Sequence, residues 1–190
     1  MGIVIHYKGR INKVVEIENF VDEISDISKE LGWGFRIIDD SDKQLNGIIL
    51  QPHEDCEPVS FLFDNGGRLH SIGSLLFDDW NKNFAFFAST KTQFAPLDVH
   101  IAIIKLLKYI KSKYINDLKV TDEADYWDTM DEAVLKEKME FLGSKIELMG
   151  EILDSRKEEL LKTKSPGELV SKIEGYFKKI GFTDFRIIKR

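Results

Sequence analysis

Two stretches of the chain concentrate side chains that could do chemistry. The first is Ser89-Thr90-Lys91-Thr92-Gln93-Phe94-Ala95-Pro96, where hydroxyls, one cation and an amide gather ahead of an apolar segment of helical period. Donors placed before a helix N-terminus suit an anion, because the unpaired N–H groups and the dipole there favour negative charge. Thr90, Lys91 and Gln93 are the candidate contacts, and His100 lies one turn into the helix, where it can face the loop. Asp98, at the same terminus, would oppose an anion and reads as a cap. The competing reading is an ordinary polar connection beside a satisfied histidine, and it is the preferred one.

The second stretch is Asp122-Glu123-Ala124-Asp125-Tyr126-Trp127-Asp128-Thr129-Met130-Asp131-Glu132. A helix-loop-helix calcium loop needs Asp or Asn at alternate positions, a central Gly and a terminal Glu. Here the alternation fails and no glycine is present. A looser hard-cation site of Asp122, Asp125 and Asp128 competes with capping, in which Asp128 or Thr129 starts a long helix and the other acids favour its positive end. Capping explains more of these acids and is preferred. Tyr126 and Trp127 need a second reason, since aromatics among acids either plug a core edge or stand at a binding surface. Trp80, in Asp78-Asp79-Trp80-Asn81-Lys82-Asn83, poses the same question.

His53-Glu54-Asp55-Cys56 collects four possible metal ligands in one loop, with His70 on a neighbouring hairpin. Zinc sites ordinarily draw on more Cys and His spaced to converge, so no metal is assigned. Glu54, Asp55 and Glu57 surround Cys56 with negative charge, which raises a thiol pKa and argues against a nucleophile. There is no GxSxG, no HExxH and no phosphate-cradling glycine motif. No catalytic residue and no cofactor is assigned.

Composition narrows the field further. The 190 residues are 43% hydrophobic and 32% charged, as in a folded globular protein, and the formal charge is −6. That balance disfavours a nucleic-acid backbone, which needs concentrated positive charge. The segment after Met1 lacks the pattern of a secretion signal, and no apolar run approaches the roughly 20 residues of a membrane span. A single cysteine fits a reducing compartment. The expectation is a soluble cytoplasmic protein without nucleic-acid or membrane partners.

The elements that must position these stretches follow from periodicity. Ile3, Ile5 and Tyr7 alternate as a first strand, and Ile17, Phe20, Val21, Ile24, Ile27 and Leu31 recur as an amphipathic helix that Gly32 stops. Strands are predicted at Phe35–Ile38, Gly47–Leu50, Val59–Phe63, Leu69–Ile72 and Phe84–Ala88, with Asp64-Asn65-Gly66-Gly67 as a tight turn. From Pro96 a helix apolar on most sides reads as buried, and Leu118-Lys119-Val120 as a short strand. A long helix spans about Asp131 to about Leu161. Its stripe Leu135, Met139, Leu142, Ile146, Met149 and Leu153 packs within the chain or, through Leu135–Leu153 with Gly143 and Gly150, against a second copy. Ser165-Pro166 starts another helix, and Phe182–Ile188 closes as a strand.

This order predicts one α+β domain over 1–190, with a mixed part (1–120) and a mainly helical part (121–190). A largely antiparallel sheet carries helices on one face, with long C-terminal helices and a closing strand. Two functions remain. The favoured one is a protein-interaction module, an adaptor, regulator or immunity-type protein. In it Trp80, Tyr126 and Trp127 beside Asp78, Asp79, Asp125 and Asp128 receive a basic partner. The other is a small-molecule enzyme or sensor joining Thr90, Lys91, Gln93 and His100 to Asp122, Glu123 and Asp125. A single helix puts those two groups at its opposite ends, roughly 30 Å apart at about 1.5 Å per residue unless the chain doubles back, which counts against one joint site.

Overall fold

The structure is a computed structural model that describes residues 2–77, 86–163 and 165–179. Trp80 and its polar loop, residues 84 and 85 of the predicted strand at 84–88, and the predicted closing strand at 182–188 lie outside the described residues; of 86–88 only Ala88 is in a strand, which runs Ala88–Lys91 into the stretch expected as a loop. The chain forms two units, Met1–Met139 and Glu140–Arg190.

The first unit runs β1 (Val4–Lys8), a 3-10 turn (Val14–Glu16), α1 (Ile17–Glu30), β2 (Gly34–Asp40), β3 (Leu45–Gln51), β4 (Val59–Phe63) and β5 (Leu69–His70). It continues with α2 (Ile72–Leu76), β6 (Ala88–Lys91), α3 (Leu97–Lys113), β7 (Lys119–Asp122), α4 (Tyr126–Thr129) and the start of α5 (Glu132–Ser155). The fold is α+β and its strand pairs are antiparallel, but the strands make two sheets instead of one. The orders are β6-β1-β7 and β2-β3-β4-β5. The reason is that β1 takes both neighbours from far along the chain, leaving the meander to form its own sheet.

α1 is amphipathic as its spacing demands. Ile17, Phe20, Val21 and Ile24 are buried, and the buried hydroxyls of Ser25 and Ser28 donate back to the carbonyls of Val21 and Ile24, both at 2.7 Å. Gly32 then ends the helix at φ +69°, a conformation that costs glycine little. Phe20 meets Phe61 of β4 at 5.6 Å, Phe63 at 5.3 Å and Tyr114 at 5.1 Å, a cluster that seats α1 on the meander. Burying a ring of this kind contributes about 2–3 kcal/mol by area alone. Tyr7 of β1 reaches the same layer: its hydroxyl donates to the Ser60 carbonyl and accepts from the Ser60 N–H, each at 3.0 Å. Burial raises the Tyr7 pKa, so that hydroxyl keeps its proton.

Two details differ from the expectation. The chain leaves β5 after His70 and turns into α2, where the sequence predicts a strand to Ile72; the apolar run Ile72, Leu75, Leu76 is too short for its period to distinguish the two in sequence. The N-cap of α5 is Asp131, whose Oδ1 accepts from the Ala133 N–H at 2.8 Å, and neither Asp128 nor Thr129 takes that place. Thr129 instead accepts from the Asp131 N–H at 3.2 Å. Thr129 ends α4, a single turn bracketed by the left-handed residues Asp125 and Met130.

The second unit holds the remainder of α5, then α6 (Lys157–Leu161) and α7 (Pro166–Lys179). Ser165 caps α7, its hydroxyl accepting from the Glu168 N–H at 3.2 Å. Along α5 Phe141 and Leu148 are exposed, and beyond the helix's own backbone and the adjoining residues no described atom lies within 4 Å of the place a Cβ would take at Gly143 or Gly150. No described helix is long and apolar enough to cross a membrane.

Candidate functional site

The two chemistry-bearing stretches meet. β1 lies between β6 and β7, and its register sets Ile5 opposite Thr90 on one side and Asp122 on the other. α3 carries the chain away from His100, and β7 brings it back. From His100 to Lys113 the helix covers about 20 Å at about 1.5 Å per residue. Tyr114 to Asp122, extended, reaches about 27 Å at about 3.3 Å per residue, which is enough to return to the helix start. The predicted separation of the two stretches is therefore corrected by the return strand.

What they build is a closed relay. Thr92 Oγ1 lies 2.7 Å from His100 Nδ1, and His100 Nε2 lies 3.3 Å from Asp122 Oδ2. A proton on Nε2 lets the imidazole donate to the carboxylate while Nδ1 accepts from the threonine hydroxyl. Asp122 Oδ1 also accepts from the Ala124 N–H at 2.9 Å, and Oδ2 from the Trp127 N–H at 3.0 Å. Burial alone would raise the Asp122 pKa. The bonds from His100, Ala124 and Trp127 outweigh it and hold the carboxyl below its usual range.

The order hydroxyl, imidazole, carboxylate is that of a nucleophilic triad, yet Thr92 and His100 are 0% exposed. Hydroxyl and imidazole saturate one another, so what the relay does is pin the end of β6, the start of α3 and the end of β7 together. Thr90 is equally buried, donating to the Glu57 carbonyl at 2.7 Å. Lys91 spends its N–H on Glu57 Oε2 at 3.0 Å and sets its ammonium 5.3 Å from the Phe94 ring. Gln93 Oε1 is buried without a partner among the described residues.

The acidic stretch is dispersed rather than convergent. Asp125 pairs with Lys138, Asp128 is exposed on the rim of a separate pocket, and Asp122 faces inward. Tyr126, expected among the exposed aromatics, is 2% exposed and packs 6.3 Å from the His100 ring; burial, then the nearby Glu132, raises its pKa. Trp127 is half-buried, and its ring is already faced by Lys108 at 4.4 Å and Lys111 at 5.6 Å. Lys108 also donates to the Trp127 carbonyl at 2.8 Å. Those lysines, with Ser112, Asn116 and Asp128, line a 610 Å³ pocket beside the indole. Cys56 is buried, and its raised pKa comes from burial first, with the Glu57 charge a lesser cause than the sequence suggested.

The chain matches no family model, no curated protein and no solved structure.

Sequence reasoning overlooked the solvent side of α1. A groove of 820 Å³ runs there, lined by carboxylates from Glu16, Asp22, Glu23, Asp26 and Glu30 and by Lys113; Glu16 is paired with Lys13 at 3.1 Å and Asp26 with Lys29 at 2.8 Å. Ile27, Leu31 and Tyr114 supply apolar wall. Glu23 accepts from Lys113 at 2.6 and 2.7 Å and from the hydroxyls of Tyr109 and Tyr114. Burial opposes its charge, but these donors prevail and lower its pKa to about 2. The signal was present in the sequence as the polar face of α1, which reads as any solvated helix face until the elements beside it are known.

Proposed function

We propose that the protein acts by binding a basic protein partner, as an adaptor, regulator or toxin-neutralising protein, and that it does so in a reducing intracellular setting. The observation that carries the reading is the α1 groove, where five carboxylates gather and only three meet a cation, Glu16 with Lys13, Glu23 with Lys113 and Asp26 with Lys29, which leaves Asp22 and Glu30 without one among the described residues. Fixed charge of one sign steers a basic surface into place, and Ile27, Leu31 and Tyr114 offer it apolar contact once there. The net charge of −6 adds to the steering. This moves the recognition surface away from Tyr126, which is buried, and Trp127, whose ring its own lysines face.

The test is affinity capture from a cell lysate with wild-type protein and with the triple variant Asp22→Asn, Asp26→Asn, Glu30→Gln. The three side chains are exposed, so the variant keeps its fold, which circular dichroism checks. Wild type is expected to retain proteins of strongly basic composition at about 0.1 M salt and to release them at about 1 M, where the Debye length falls to about 3 Å. The triple variant is expected to retain none. Equal capture by both proteins refutes the reading.

A further inference from the structure

We propose that the basic partner docks as an extended strand on the outer edge of β2, continuing the meander sheet; the inference rests on the basic-partner reading. β2 ends the order β2-β3-β4-β5, and no described residue pairs with its outer side. At seven residues it offers about 23 Å of unpaired backbone at about 3.3 Å per residue, with no proline and no bulge to blunt it. The other described edges are short: β6 and β7 have four residues each and β5 has two.

The side chains of β2 are set for such an addition. Its register places Phe35 opposite Leu50 and Ile37 opposite Ile48, and both β3 residues are 0% exposed on the face that meets α1. Phe35 and Ile37 thus belong to the core face, yet they are 37% and 53% exposed. The apolar layer runs out past the last strand. Between that edge and α1 lies a 600 Å³ groove walled by Val14, Val15, Val21 and Ile37, with Val15 85% exposed. A strand about 4.8 Å from β2 would send every second side chain into this groove.

Charge decides the occupant. Glu18, Asp22 and Asp39 also line the groove, and no cation among the described residues does, Lys29 standing outside it, 5.9 Å from the Phe35 ring. A second copy of the chain would bring the same three carboxylates against their counterparts, and like charges set opposite one another are unfavourable. A strand whose groove-facing side chains, at every second position, include both apolar and cationic residues satisfies both features: the apolar side chains fill the groove, and the cations reach the carboxylates. Asp22 lines this groove and the acidic one alike, so one partner can occupy both sides of α1.

The experiment uses the full chain and two synthetic decapeptides of equal charge: a lysine-valine peptide repeating valine-threonine-lysine-threonine, which sets valine and lysine in turn on one face, and a lysine-proline peptide with proline in place of each valine and threonine. Proline cannot donate to a ladder, so the second peptide keeps the charge and loses the pairing. The lysine-valine peptide is expected to bind at least about tenfold more tightly than the lysine-proline peptide, a difference of about 1.4 kcal/mol. Hydrogen exchange at alternate β2 amides is expected to slow by at least about tenfold on its addition. Equal binding of both peptides with unchanged β2 exchange overturns strand docking and leaves the basic-partner reading standing. Failure of both peptides to bind also overturns it, and the capture experiment then decides the broader reading alone. Protection of β2 that grows with protein concentration without peptide, together with a dimer in sedimentation, overturns it in favour of a second copy.

Discussion

Removing the Asp122 carboxylate should unpin the first unit more than any other single change at the relay. Asp122 accepts from the buried His100 ring, from the buried Ala124 N–H and from the half-buried Trp127 N–H. Asp122→Ala orphans all three. A buried donor left unpaired costs about 1–3 kcal/mol, and water reaches Trp127 more easily than the other two, so the sum is about 4 kcal/mol. That is about a thousandfold in the folding equilibrium. With a urea slope of about 2 kcal/mol per molar, the unfolding midpoint falls by about 2 M.

Asp122→Asn should cost far less. Its Oδ1 keeps the Ala124 bond, and its amide can donate to His100 Nε2 once the imidazole proton moves to Nδ1 and is donated to Thr92 Oγ1. The Trp127 N–H and the Thr92 hydroxyl proton then lack acceptors, a cost of about 2 kcal/mol in all, since the hydroxyl can rotate and water reaches Trp127. Urea unfolding of the three proteins, with hydrogen exchange at the Trp127 amide as a local readout, measures the order. The pH dependence adds an independent check. The folded pKa of Asp122 is lowered, so its contribution is complete above the unfolded value of about 3.9 and is lost as pH falls through the folded one. Wild type should lose this increment under acid and Asp122→Asn should not. An Ala variant within about 1 kcal/mol of wild type, or an Asn variant as damaged as the Ala one, refutes the relay as a structural pin.

Three further outcomes are expected. Glu23 has a folded pKa of about 2 against an ordinary 4.5, so its contribution is whole above pH 4.5 and fades as pH falls toward 2; discounted for solvent screening it is about 1 kcal/mol. The urea midpoint of Glu23→Gln should therefore lie below wild type at neutral pH and converge with it near pH 2. A Cβ at Gly47 would sit 1.9 Å from the Phe61 carbonyl oxygen, so Gly47→Ala should cost about 3 kcal/mol or more, read as a lowered melting temperature. Asp131→Ala should cost about 1 kcal/mol through loss of the α5 cap, whereas Asp128→Ala should be nearly neutral; equal effects in urea unfolding would assign the cap wrongly.

Local signals were legible in the sequence wherever one element could satisfy itself. The period of Ile17, Phe20, Val21 and Ile24 requires a helix with one apolar face, and Gly32 stops it. The run Val59–Phe63 emerges as β4 with the same bounds. Asn65-Gly66-Gly67 turns the chain, Gly67 sitting at φ +74°. The apolar girth of the segment after Pro96 already places α3 in the interior.

Tertiary structure alone decided what those elements bring together. Nothing local says that β7 pairs with β1, and only that pairing returns Asp122 to His100 across a helix of 17 residues. Burial then turns a run of polar residues into a closed relay, and Lys108 and Lys111 over Trp127 change the meaning of an aromatic among acids. The acids of α1 and the apolar residues of β2 are ordinary in sequence. They form grooves because the sheet ends at β2 while the helix beside it continues to expose charge, a relation set by packing between distant segments rather than by the residues of either one.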